Sequence, residues 1–144
     1  MPLDPDGIWI IDYRTASLIE EEEDGARIAA VQALCAANSM RIAHSERDRF
    51  RAAPSLCACY VDNGCHIPLC GEIIEHSKLI QQRPVFAGVF VIDRSAVYIG
   101  AAALYMGLQV ITEAPQNTGV NLPRICDEFG IARANREEFF DCIL

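Results

Sequence analysis

Five acidic residues are spaced so that a single fold could bring them to one edge of a sheet: Asp12, Glu46, Asp48, Asp93 and Glu113. Asp12 closes the apolar run Ile8-Trp9-Ile10-Ile11, and a charge in that place is costly unless it lies in a cleft or is paired. Glu113 closes a second such run, Leu108-Gln-Val-Ile-Thr-Glu113. Glu46 and Asp48 follow the short run Met40-Arg-Ile-Ala-His44, and Asp93 precedes a stretch rich in alanine. Converging carboxylates offer hard oxygen ligands to Mg2+ or Mn2+. Such ions activate water and stabilise an in-line displacement at phosphorus. Taken singly, Glu46 and Asp48 read better as helix-cap or surface acids.

The elements that would position these acids follow from periodicity. Residues 8–11 form a continuous apolar run, as in a strand buried on both faces. Ser17 to Glu20 has capping-box spacing, and the acidic run from Glu20 to Asp24 suits a loop or an exposed first turn. Ile28, Val31, Leu34 and Cys35 predict an amphipathic helix over 26–37. A short strand over 40–44 follows. Ser45 then caps a helix that ends before Pro54. Residues 56–61 suit strand or helix, 62–64 a turn, and 70–82 a helix. Residues 85–92 read as strand, 96–106 as a small-residue helix stopped by Gly107, and 108–113 as strand. A helix over 122–129, a glycine stop, a short strand and a last helix complete the order. This alternation predicts a three-layer α/β/α domain with a mostly parallel sheet, in one domain spanning 1–144, with residues 55–90 as a variable helical middle. Sites in such sheets lie beyond the carboxyl ends of the strands.

The net charge of −8 excludes a broad basic surface for duplex DNA. A local basic patch remains at Arg41, Arg47, Arg49 and Arg51. The uncharged stretch 95–111 is too short and too rich in alanine and glycine for a membrane span. Seven cysteines, an odd number, with no secretory pattern at Met1-Pro-Leu-Asp-Pro-Asp6, predict a reduced, cytoplasmic protein.

Several segments together resemble the PIN-like nuclease domains. The quoted residues are Ile10-Ile-Asp12, the strand 40–44 with Glu46 and Asp48, Tyr98-Ile-Gly-Ala-Ala-Ala-Leu-Tyr-Met-Gly107, and Val110-Ile-Thr-Glu113. The tail Asn121-Leu-Pro-Arg-Ile-Cys-Asp-Glu-Phe-Gly-Ile131 looks like one branch of that family. The resemblance implies a PIN-like fold and metal-dependent cleavage of RNA, with Asp12, Asp48, Asp93 and Glu113 holding Mg2+ or Mn2+. Arg14, Arg47, Arg49 and Arg51 would then contact the RNA. It further implies an antitoxin-like protein partner, as for toxins of the family, and a homodimer. The chain also departs from the pattern. The family's helix acid falls by spacing at Ala96, with Asp93 nearly one turn earlier, and Tyr13 and Arg14 stand where small polar residues are usual. These departures imply the alternative of a degenerate PIN-like fold acting as a binding or assembly module.

A second constellation is Cys57, Cys59, Cys65 with His66, and Cys70, whose density suggests Zn2+ although the spacing is unlike the usual paired pattern. Buried or incidental thiols account for it better. No local signature marks a cysteine nucleophile beside His44, His66 or His76, and no phosphate-binding glycine loop is present.

Overall fold

The computed structural model describes residues 2–52, 56–89, 92–116 and 118–144, with side chains of 56–58 left aside. The chain runs β1 (Trp9–Ile11), α1 (Tyr13–Glu22), α2 (Gly25–Ala36) and β2 (Met40–Arg41). A 3-10 turn (His44–Glu46) leads into α3 (Arg47–Ala52), α4 (Leu56–Asp62) and α5 (Gly71–Gln82). A second 3-10 turn (Pro84–Phe86) precedes α6 (Arg94–Met106), β3 (Gln109–Ile111), α7 (Leu122–Phe129), β4 (Arg133–Ala134) and α8 (Arg136–Ile143).

The strands form one parallel sheet in the order β2-β1-β3-β4. Trp9 pairs with Met40 on one side and Gln109 on the other. Beyond β2, Ile42 accepts from the Ile67 N–H at 2.9 Å and donates to the Cys65 carbonyl at 3.0 Å, which extends that edge. Side chains alternate across a strand, so neighbouring residues enter different cores. Ile10 and Val110 pack with Ile80, Ile99 and Ile125. Trp9, Ile11 and Ile111 pack with Ile19, Val31, Phe50 and Phe139. Helices therefore cover both faces, and the architecture is the three-layer α/β/α arrangement expected, consistent with a PIN-like fold.

Three local expectations are corrected. Helix α1 starts at Tyr13, with Asp12 as its cap, so Ser17 and Glu20 lie inside it rather than at its start. The acidic run accordingly falls at the end of α1, with Glu23 left-handed (φ 54°) and Asp24 capping α2. Among the described residues of 85–92 no regular strand forms. Pro84 opens the 3-10 turn, Gly88 adopts φ 75°, and Ile92 makes a single parallel bridge to Val120. Residues 90 and 91 lie outside the described residues. The ambiguous stretch from Leu56 to Val61 is helical.

Helix α6 owes its small residues to close packing. A Cβ on Gly100 would lie 2.6 Å from Cγ2 of the buried Ile125 in α7. Overpacking of this kind costs about 1–3 kcal/mol, so Gly100→Ala should lower the urea midpoint accordingly. An unchanged midpoint would show that α6 and α7 are less tightly apposed than this.

Candidate functional site

Strand β1 leads to β2 on one side, and its other neighbour is β3. The chain therefore diverges at the carboxyl end of β1, where parallel sheets open a crevice. A pocket of about 440 Å³ lies there, lined by Asp12, Tyr13, Arg14, Ser17, Glu46, Arg49, Asp93, Ser95 and Ala96. Ile99, Val120 and Leu122 add apolar wall, with Asn121 beside them.

Asp12 is buried and held at both oxygens. Oδ1 accepts from the Thr15 N–H at 2.8 Å and Oδ2 from the Thr112 hydroxyl at 2.5 Å. The first bond caps α1, and the second ties the end of β1 to the end of β3. Thr15 Oγ1 in turn accepts from the Glu113 N–H at 2.9 Å. Each carboxylate oxygen retains acceptor capacity for a further ligand.

Glu46 is the deeper partner, only 3 % exposed. Its Oε1 accepts from the Tyr13 N–H at 3.0 Å, and Oε2 lies 3.7 Å from Arg49. Burial, and after it the negative charge of Asp12, push its carboxyl up to about 7. The Tyr13 N–H, Arg49 and the Ser95 hydroxyl pull in the opposite direction. The Arg49 guanidinium also stacks on the Tyr13 ring, 4.5 Å from its centroid.

The other expected residues divide. Asp93 lines the pocket but is exposed, and its Oδ1 caps α6 by accepting from the Ala96 N–H at 3.1 Å. Asp48 is exposed and is not among the lining residues. Two positions along a helix turn a side chain by about 200°, so Glu46 and Asp48 cannot both face the crevice. Glu113 is also absent from the lining. Its Oε1 accepts from both the backbone N–H of Arg136 (2.8 Å) and its Nε (2.9 Å) at the start of α8. Arg136 bonds Glu22 as well, which ties α1, β3 and α8 together. Of the arginines, Arg14 and Arg49 reach the pocket, whereas Arg47 and Arg51 are not among its lining residues. The latter two lie near His66, whose imidazole is held below its ordinary range by burial, then by Arg47, His44 and Arg51.

No protein-family model, curated protein or solved structure matches the chain. The site must therefore be read from its own chemistry.

Among the described residues, no three His, Cys, Asp or Glu side chains are grouped so as to hold a metal ion. Mg2+ does not require such a cage. It usually keeps several waters and binds through one or two carboxylates together with substrate phosphate. Asp12 and Glu46 both line the pocket, and the rise of the Glu46 carboxyl reflects its burial first and the neighbouring Asp12 charge second. Two carboxylates are hard oxygen donors of the kind that Mg2+ or Mn2+ takes.

The cysteines are arranged differently from the expected set. Cys59 and Cys65 lie with Cys35 in one core, while Cys70 packs against the other, across the sheet. The Cys57 side chain lies outside the described residues. No described helix is long and apolar enough to cross a membrane.

Sequence reasoning named Glu46 but favoured Asp48 on the approximate family match. It missed Ser95, Tyr13 and Thr112 as site residues. A signal for Thr112 was present, since it precedes the acid at the end of an apolar strand. Nothing in the sequence marked Ser95.

Proposed function

We propose that this chain is a divalent-cation-dependent phosphodiesterase acting on RNA, with Asp12 and Glu46 as the anchoring carboxylates. The observation that carries the reading is the pairing of two buried acids at the divergence point of a parallel sheet, with Arg14 and Arg49 on the same pocket. Mg2+ or Mn2+ held there would supply an activated water and charge neutralisation at the phosphate. Asp12 would be fixed for this by Thr15 and Thr112, which cost no reorganisation when the ion binds. Arg14 would offer the scissile phosphate a charge-assisted contact. Arg49, stacked on Tyr13, would orient both Glu46 and an incoming phosphate. Asp93 stands at the rim as a further oxygen donor.

A second reading is favoured by a specific observation. Glu113 is engaged by Arg136 and Ala96 lines the pocket in place of an acid, which suits a non-catalytic binding module of the same fold. Calorimetric titration with Mn2+, joined to cleavage of single-stranded RNA, separates the two. Manganese binding with Mn2+-dependent cleavage supports the phosphodiesterase. Absence of Mn2+ binding by the parent protein at neutral pH would end that reading.

Glu113 supplies a separate check. Its bonds to Arg136 are half-buried, and such charge-assisted bonds contribute about 1–2 kcal/mol. Glu113→Gln should lower the melting temperature by a few degrees while leaving Mn2+ affinity unchanged. A tenfold loss of Mn2+ affinity would instead make Glu113 a ligand.

A further inference from the structure

The phosphodiesterase reading leaves unused a cluster of thiols on the far side of β2. Cys35 comes from the last turn of α2, Cys59 from α4, and Cys65 from the segment that extends the sheet edge beyond β2. Distant parts of the chain thus bring three sulfurs together in one core. Cys35 and Cys59 have their Sγ atoms 3.9 Å apart. Cys35 is within hydrogen-bonding reach of both other thiols. Cys35 and Cys65 are buried, whereas Cys59 is partly open to solvent.

We propose that Cys35 and Cys59 form a reversible dithiol–disulfide site, oxidised by small hydroperoxides, with Cys59 as the attacking sulfur and Cys35 as its resolving partner. The Cys59 thiolate attacks a peroxide oxygen and the O–O bond breaks. This leaves Cys59 as the sulfenic acid and releases water or an alcohol once protonated. The Cys35 sulfur then attacks the Cys59 sulfur, the S–O bond breaks, and the Cys35 proton leaves with hydroxide as water. Two electrons pass from the two thiols to the peroxide. A disulfide bond is about 2.05 Å long, so the two sulfurs need approach by only about 2 Å.

The surroundings assign the roles. Its contact with the Cys35 sulfur holds the Cys59 thiol below its ordinary range against the effect of burial. Cys35 is pushed upward by the same contact, by its bond to Cys65 and by burial. Cys59 is the sulfur that solvent reaches, so it meets the peroxide first, and the buried Cys35 stands behind it to resolve the sulfenic acid. Cys126, pushed up to about 12 by burial in the opposite core, lacks these features. The bond would tie α2 to α4, which packs on α3 next to Glu46 and Arg49.

The test uses the full-length reduced protein, treated with hydrogen peroxide at low molar excess, with maleimide counting of free thiols and peptide mapping. Two of the seven thiols should be lost and a Cys35–Cys59 peptide recovered, with reversal by dithiothreitol. Cys35→Ser should instead accumulate a dimedone-reactive sulfenic acid on Cys59, and Cys65→Ser should still form the bond. If the Cys35 variant fails to fold, parent protein trapped with dimedone at early times reports the same intermediate. Three outcomes would overturn the proposal. These are no thiol loss, a disulfide that maps to Cys57 or Cys142, and stoichiometric zinc that protects all three sulfurs. None of them depends on cation binding at Asp12 and Glu46.

Discussion

Asp12→Asn is expected to keep the fold and lose roughly 100-fold or more in Mn2+ affinity and in RNA cleavage. Asparagine is as good a helix cap as aspartate, so its Oδ1 can still accept from the Thr15 N–H. Its amide can donate to the Thr112 hydroxyl, which already accepts from the Ala114 N–H at 3.1 Å. The variant therefore removes the charge, keeps the cap and reverses the bond to Thr112, whose O–H loses its acceptor, so unfolding should shift by about 1 kcal/mol. Asp12→Ala is the contrasting case. It removes a cap, worth about 1 kcal/mol, and strands the buried Thr112 hydroxyl, worth about 1–3 kcal/mol. Calorimetry and denaturant melts on both variants separate charge from scaffold. Undiminished Mn2+ binding by Asp12→Asn would remove Asp12 from the cation site.

The second large effect is the pH dependence set by Glu46. Its carboxyl rises from 4.5 in the unfolded chain to about 7 in the fold. Between those values the native state binds the additional proton, so stability falls as pH rises. The stabilising contribution of the neutral acid is fully present below 4.5 and is lost as pH climbs through about 7. The difference amounts to roughly 3 kcal/mol at pH 8. Glu46→Gln keeps an acceptor for the Tyr13 N–H and never ionises. It should match the parent at pH 4.5 and exceed it by roughly 3 kcal/mol at pH 8. Millimolar Mg2+ should restore part of the parent's loss at pH 8, since a ligand of the folded state stabilises it by mass action. Parallel parent and Glu46→Gln curves from pH 4.5 to 8 would show that Glu46 ionises normally.

Much of the fold was legible in the chain. The run at 8–11 is wholly apolar and that at 108–111 is broken only by Gln109, as suits strands covered on both faces. Gly107 and Gly130 marked the ends of α6 and α7, where each adopts a left-handed backbone (φ 69° and 68°) that other residues resist. The stretch 85–92 misled because Val85, Phe86 and Val89 have strand-like chemistry, while Pro84 and Gly88 impose turns that apolarity alone does not reveal.

The sequence by itself determined that acids would stand at the carboxyl ends of parallel strands, since an apolar run followed by Asp12 or Thr112-Glu113 requires a polar outlet at that edge. Only the tertiary structure decided which acids meet. Glu46 turns inward on a 3-10 turn and Asp48 outward on the following helix. Glu113 is drawn to Arg136, 23 positions further along the chain. Cys35 joins Cys59 and Cys65, while Cys70 falls on the other side of the sheet. Local pattern reports burial and backbone preference. The meeting of side chains far apart in sequence depends on which helix covers which face, and that is set by packing of the whole sheet.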